Sequence, residues 1–280
     1  MIEPLLSDDA FLADVEAAPA LPDRLHLWWL GQSGYLVQWN GQRYLIDPYL
    51  SDSLTTKYAA TDKPHERMTR RVVDPARLER INMITASHGH TDHLDAETLR
   101  PFRGTEWGTM LVAPRAIRTL AEERWGGDVD VLVNEYEPRE WGHLRIDPVA
   151  SAHETVERDV HGNCHFLGYV FTFGRWRVYH SGDTVLYDGM VERLRPFDVD
   201  VALLPINGRA PERRVAGNLN GREAAWLAKE IGARVVIPCH YDMFEFNTAD
   251  PYEQFVPECE RTGQPYRVLK LGERLTLDSK

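Results

Sequence analysis

The chain has 280 residues, 43% of them hydrophobic, an ordinary globular composition that is long enough to bury a substantial core. Its formal charge of -11, from 32 Lys and Arg against 43 Asp and Glu, disfavours a nucleic acid partner held by bulk electrostatics. The three cysteines, Cys164, Cys239 and Cys259, give no disulfide framework and suit a reducing compartment, so the cytoplasm is the expected location.

Residues 1–23 are acidic and lack the basic start and apolar stretch of a signal peptide. Ser7-Asp8-Asp9 can cap a short helix carrying Phe11, Leu12 and Val15, which Pro19 and Pro22 end. Leu25 to Leu30, Tyr35 to Trp39 and Arg43 to Ile46 then read as strands, and Asn40-Gly41 is a strong hairpin signal. From Ile81 the rhythm changes: INMITAS, a helix after Asp95, TMLVAP, a helix from Arg115 to Trp125, and VDVLVN. A second meander follows in HLRIDPVASAH, CHFLGYVFTF and RWRVYHSGD. The last third alternates again through VDVALLPIN, a helix from about Gly221 to Ile231, RVVIPCH, a helix near Tyr252 to Glu260, and a final strand in YRVLKL. Meander followed by alternation, occurring twice, predicts two packed sheets with helices outside. No linker divides the chain, so 1–280 is read as one domain with residues 1–23 as a helical extension packed on it. No run approaches the roughly 20 apolar residues that a membrane-spanning helix needs.

The residues that carry chemistry lie where these strands end. In SHGHTDHLD, the spacing His88-x-His90-x-Asp92-His93 puts four ligand types on one tight loop held by a buried strand. Imidazole nitrogen and carboxylate oxygen suit zinc and other first-row divalent ions, manganese among them, and the lack of cysteine in the loop argues against a purely structural zinc site. His153, Asp183 and His240 each follow a later strand, and their order after the first loop makes them candidates for the same site. No protein nucleophile stands out: Cys239 alternates away from His240 into the core, and Ser33 and Ser181 have no evident base.

The order SHGHTDH, SAH, SGD and PCH is similar to the metallo-β-lactamase superfamily. The stretches LHLWWLGQSGYLV, VYHSGDTVLYDG, VDVALLPIN, NLNGREAA and ARVVIPCHYDMFEFNTADP resemble the branch that contains L-ascorbate-6-phosphate lactonase. The resemblance implies an α/β protein, an αβ/βα four-layer sandwich with the site at the edge between its halves. It implies one metal on His88, His90 and His153, a second on Asp92, His93 and His240, and Asp183 bridging both, a role open to a group with two oxygens. Asp92 and Asp183 are then the catalytic carboxylates, acting beside a metal-activated water. His153 follows the general superfamily pattern at a position where that lactonase has no histidine, so a complete first ligand set is expected here and the lactone is left unspecified.

Other residues are assigned supporting roles. Asp47 in LIDP is expected by resemblance to reach the metal loop and orient a histidine, and His180 is a second candidate for such support. Gln32, Tyr241 and Arg209 are candidates for substrate binding, Arg209 as the grip on a phosphate or carboxylate. Asn220-x-x-Glu223 reads as a capping pair for the following helix. The expected function is hydrolysis of a small anionic ester or lactone, with a small molecule as partner, no nucleic acid, and homo-oligomerisation left open. A phosphodiesterase is the alternative, because WWLG and the HxHxDH order also resemble N-acyl-phosphatidylethanolamine phospholipase D. Ribonuclease relatives carry a large inserted domain that this chain lacks. Di-iron oxidoreductases such as flavodiiron proteins pair the fold with a flavin domain absent here, and a non-catalytic metal-binding role is disfavoured by the full ligand set.

Overall fold

The computed structural model describes residues 1–278. Helix α1 (Asp8–Ala17) buries Phe11 and Val15 and stops where Ala18 turns extended ahead of Pro19. Phe11 meets Trp28 edge-on at 6.5 Å, which fastens the N-terminal helix to the first sheet.

Strands β1 (Arg24–Gly31), β2 (Gly34–Trp39) and β3 (Gln42–Ile46) form the expected meander. Asn40 and Gly41 both have positive φ, 48° and 78°, as the tight turn pairing Trp39 with Gln42 requires. A short helix α2 (Ser53–Tyr58) follows, then β4 (Ile81–Thr85), α3 (Ala96–Leu99), β5 (Met110–Pro114), α4 (Arg118–Trp125) and β6 (Val131–Val133). The second half contains β7 (Arg139–Trp141), β8 (Leu144–Ala150), β9 (Leu167–Phe173), β10 (Trp176–His180), α5 (Met190–Leu194), β11 (Val201–Pro205), α6 (Gly221–Glu230), β12 (Val235–Cys239), α7 (Phe255–Thr262) and β13 (Arg274–Asp278). The capping pair expected ahead of α6 is present, with Asn220 and Glu223 each accepting the other's backbone N–H at 3.0 Å.

The strands make a seven-stranded sheet, β13-β1-β2-β3-β4-β5-β6, and a six-stranded sheet, β12-β11-β10-β9-β8-β7. Almost every residue of β1, β2, β9 and β11 is buried, because each sheet is covered by the other on one face and by helices on the other. This is the αβ/βα metallo-β-lactamase fold. Among the described residues, no helix is long and apolar enough to cross a membrane.

The expected strand in YRVLKL is corrected. Only Tyr266 bridges, to Val236 of β12. The chain then leaves that edge, buries Leu269 and Leu271, and reaches the other sheet, where Gly272 N–H donates to Trp29 at 2.8 Å. The pairing strand is instead β13, antiparallel to β1.

Strand direction explains where the site lies. Within the first sheet β1, β3 and β4 run one way, and within the second β8, β10, β11 and β12 do so. Gln32, Asp47, His88, His153, Asp183 and His240 all follow the carboxyl ends of these co-directional strands, the edge at which α/β sheets collect ligands.

Candidate metal centre

The seven residues expected as ligands converge. His88, His90, His153 and Asp183 offer atoms within 4.8 Å of one another, and so do Asp92, His93 and His240. Asp183 stands between the two groups. Its Oδ1 is 3.3 Å from His93 Nε2, and its Oδ2 is 3.4 Å from His240 Nε2 and 3.7 Å from His153 Nε2.

Buried hydrogen bonds aim the imidazoles. Asp47, fully buried, accepts from Ser87 N–H at 2.8 Å, from Ser87 Oγ–H, and from His93 Nδ1–H at 2.7 Å. With its proton given to Asp47, Ser87 Oγ is left to accept from His88 Nδ1–H at 2.9 Å. His153 Nδ1–H donates to the Gly217 carbonyl at 2.8 Å. In His88, His93 and His153 the Nδ1 therefore carries a proton toward an acceptor, which turns Nε2 toward the centre. His88 Nε2, His93 Nε2 and Asp183 Oδ1 are buried and lack hydrogen-bond partners, an arrangement that is costly unless a cation satisfies them. These donors fit divalent ions of the zinc and manganese kind.

The electrostatics agree. Burial opposes charge on His93, but Asp183 and Asp92, together with Asp47, outweigh it and hold the imidazole well above its ordinary pKa. Burial likewise opposes ionisation of Asp183, yet His240 and His93 keep its carboxyl well below the usual range. The centre favours a cation at these atoms, and a metal would compete there with a proton.

Backbone strain is concentrated at the same edge. Gln32, Asp47 and His240 have φ of 51°, 41° and 62°, in the left-handed region that non-glycine residues rarely adopt. Gly182, at φ 59°, comes so close to the metal loop that an added Cβ would lie 2.6 Å from Ser87 Cβ. Arg124 clamps that loop from α4, donating to the Gly89 and Leu94 carbonyls at 2.8 and 2.9 Å.

The remaining expectations are sorted by geometry. Gln32 does not line the cavity over the ligands. Its amide donates to Asp92 at 2.7 Å and approaches His240 Nε2 at 3.2 Å, so it braces two candidate ligands. His180 touches no ligand histidine; its ring spans the Ser33 carbonyl at 2.9 Å and the Gly182 N–H at 3.2 Å, steadying the turn that presents Asp183. The substrate role expected of Tyr241 is corrected. It is buried, stacked on Trp29 with centroids 4.5 Å apart, and donates to the Leu269 carbonyl. Arg209 is also displaced from its expected role, because it pairs with Glu223 at 2.6 Å and lines a neighbouring cavity.

Over the ligands lies a cavity of about 370 Å³, within the usual range for small-molecule sites. Its floor includes His90, Asp92, His153, Asp183 and His240. Its other walls hold Arg214, one of the arginines of the loop after β11, and residues the sequence reading missed: Lys57, Tyr58 and His65 after β3, and Phe244 and Phe246 after His240. The aromatic run MFEF, which starts three residues after the last ligand, was the one available signal; nothing local to Lys57 or His65 marks them.

The chain belongs to the β-lactamase superfamily, whose domain model matches residues 42–241. A protein of Caldivirga maquilingensis described as a UPF0173 metal-dependent hydrolase is 29% identical over 265 residues, covering 91% of this chain and 99% of its own length. Among solved structures, Igni18, a metallo hydrolase from Ignicoccus hospitalis, aligns with a TM-score of 0.68 at 22% identity over 92% of this chain and all of its own. An isothiocyanate hydrolase from Delia radicum gut bacteria aligns with a TM-score of 0.73 at 17% identity, over 91% of this chain and 100% of its own. At such identity these two structures share the fold. Family membership and the Caldivirga relative support a metal-dependent hydrolase of the metallo-β-lactamase fold.

Proposed function

We propose that this hydrolase acts on a small anionic ester or lactone, with His88, His90 and His153 holding one divalent ion, Asp92, His93 and His240 a second, and Asp183 both. The observation that carries the substrate class is Lys57. It lines the same cavity as the ligands and makes no ion pair among the described residues. The other cations there are committed: Arg124 to backbone carbonyls, and Arg214 to Asp62 at 2.9 Å. Lys57 therefore takes over the anion-binding role expected of Arg209.

Divalent ions held by these ligands supply, when bound, an acidified water and an electrophilic contact for the attacked oxygen. The protein's own groups do the rest. Asp47, Ser87 and Gly217 fix the ring orientations, and Gln32 fixes Asp92. Burial opposes ionisation of Asp92, but His93 and His240 lower its pKa and keep it ionised, as its part in holding the second ion requires. Lys57 holds the remote anion and limits the orientations of the reacting bond. Tyr58, Phe244 and Phe246 line the cavity with apolar surface that excludes water around the bound acyl group.

The test is a substrate panel on the natively purified chain: carboxylated and phosphorylated lactones and esters, their uncharged counterparts, and bis(p-nitrophenyl) phosphate. The expected order of kcat/KM is anionic lactone or ester first, uncharged counterpart next, phosphodiester last. A phosphodiester preferred over every lactone and ester contradicts the reaction class.

A further inference from the structure

His65 lines the cavity over the metal ligands, outside the machinery described above. Three aromatic rings hold it. Tyr58 stacks on it with centroids 4.1 Å apart at 18°, and Phe246 and Phe244 meet it edge-on at 4.6 and 5.3 Å. Its Nδ1 lies 3.0 Å from the Lys63 carbonyl, which can only accept, so Nδ1 carries a proton. A neutral imidazole has one such proton, and Nε2 is then bare.

The surroundings keep the ring neutral. Burial is the largest influence and lowers its pKa; the Lys63 carbonyl and Asp92 pull the other way, and the Lys57 and Lys63 ammonium groups again lower it. Nε2 has no hydrogen-bond partner among the described residues, yet it is not one of the sealed, unpartnered buried atoms. It is an accessible, unpartnered acceptor on a residue that lines the cavity. The unpaired Lys57 nearby disfavours a cationic donor such as an ammonium, which leaves a neutral O–H or N–H donor, and a hydroxyl is the one that a small anionic ester or lactone most simply carries.

We propose that His65 is a specificity-determining residue whose bare Nε2 accepts a hydrogen bond from a substrate hydroxyl, alongside the anion at Lys57. The substrate class narrows to a hydroxylated anionic ester or lactone, an inference that rests on the proposed function for its catalytic readout. Two arms separate the claims. In the first, γ-lactones hydroxylated on ring carbon 2, on ring carbon 3 or on an exocyclic carbon are each compared with the deoxy compound. The best hydroxylated member is expected to exceed its deoxy partner in kcat/KM, and His65→Phe to reduce that ratio about three- to tenfold, the worth of one neutral hydrogen bond. His65→Gln, whose amide oxygen can accept, is expected to restore part of it. A ratio unchanged by His65→Phe across the whole panel overturns the proposal.

The second arm needs no turnover. Long-range ¹H–¹⁵N spectra of the zinc-loaded, ¹⁵N-histidine-labelled full chain are recorded, with His65 assigned by its loss in His65→Phe. The expected pattern is an Nδ1–H tautomer whose Nε2 resonance shifts with 2-hydroxybutanoate or 3-hydroxybutanoate but not with butanoate. An Nε2–H tautomer, or equal response to hydroxylated and plain acids, overturns the proposal. If no lactone or ester is hydrolysed, the proposed function fails and this arm alone decides the role of His65.

Discussion

Asp47→Asn is the most informative single change, because Asp47 orients the ligands without being assigned as one. Asparagine keeps the side-chain shape and tolerates the left-handed backbone found at this position, φ 41°, which alanine would strain. The carboxylate receives three donors, from Ser87 N–H, Ser87 Oγ–H and His93 Nδ1–H. The amide offers one oxygen in place of two; with that oxygen at Oδ1, the new NH₂ takes the Oδ2 place, which both Ser87 Oγ–H and His93 Nδ1–H face. Ser87 N–H at 2.8 Å can keep the oxygen and the Ser87 hydroxyl can rotate to accept from the NH₂, which leaves His93 Nδ1–H opposed and its ring free to turn or change tautomer. Loss of such an outer partner typically weakens metal affinity about 10- to 100-fold, or roughly 1.4 to 2.7 kcal/mol. The weakening is expected chiefly at the ion held by Asp92, His93 and His240. The first ion is touched only through Ser87 and His88. Folding should lose less, since one buried donor without an acceptor costs about 1–3 kcal/mol and removal of a buried charge offsets part of it. Competition against a chelating indicator, with thermal melts in excess chelator as the folding control, measures both effects. Two ions bound as tightly as in the parent chain would refute the role of Asp47, and so would equal weakening of both.

Four further outcomes follow from the geometry. Asp183→Asn should weaken both ions by isotherm titration, since Asp183 lies near ligands of each group; loss of only one would remove the bridge. Lys57→Ala should raise KM for a carboxylated substrate about three- to tenfold and leave its uncharged counterpart within twofold, whereas equal effects would remove the anion-binding role. Arg209→Ala should leave KM for both within about twofold, because its guanidinium is paired with Glu223 beside another cavity; a selective loss for the anion would restore the earlier expectation. Phe11→Ala should cost about 3–5 kcal/mol in urea unfolding, the usual loss for a buried phenylalanine, and a cost below 1 kcal/mol would contradict the packing of α1 on Trp28.

The ligand candidates were legible because they sit on short loops directly after apolar strands, where sequence distance and spatial distance nearly coincide. The meanders were legible for a similar reason: alternation and the Asn40-Gly41 turn are local signals. Legibility failed where side chains meet across loops. Arg209 follows the correct strand, but Glu223 of the next helix captures it, a pairing that no spacing rule shows. Tyr241 adjoins a ligand, yet the positive φ values of His240 and Asp242 break the strand alternation, and its ring turns onto Trp29. His65 and Lys57 come from the segment between β3 and β4, which carries no periodic pattern and is brought over the ligands only by the folded loops. YRVLKL has the apolar content of a strand, but it is spent crossing between the sheets, and the pairing falls to the less apolar Arg274–Asp278.

The central claim is that the His and Asp cluster at the sheet edge is a two-ion centre. Elemental analysis of the natively purified chain, repeated after chelation and reloading with zinc or manganese, tests it most directly. The account predicts up to two divalent ions per chain, regained on reloading, with both weakened in Asp183→Asn. A chain that carries no transition metal as purified and takes up none on reloading would contradict it.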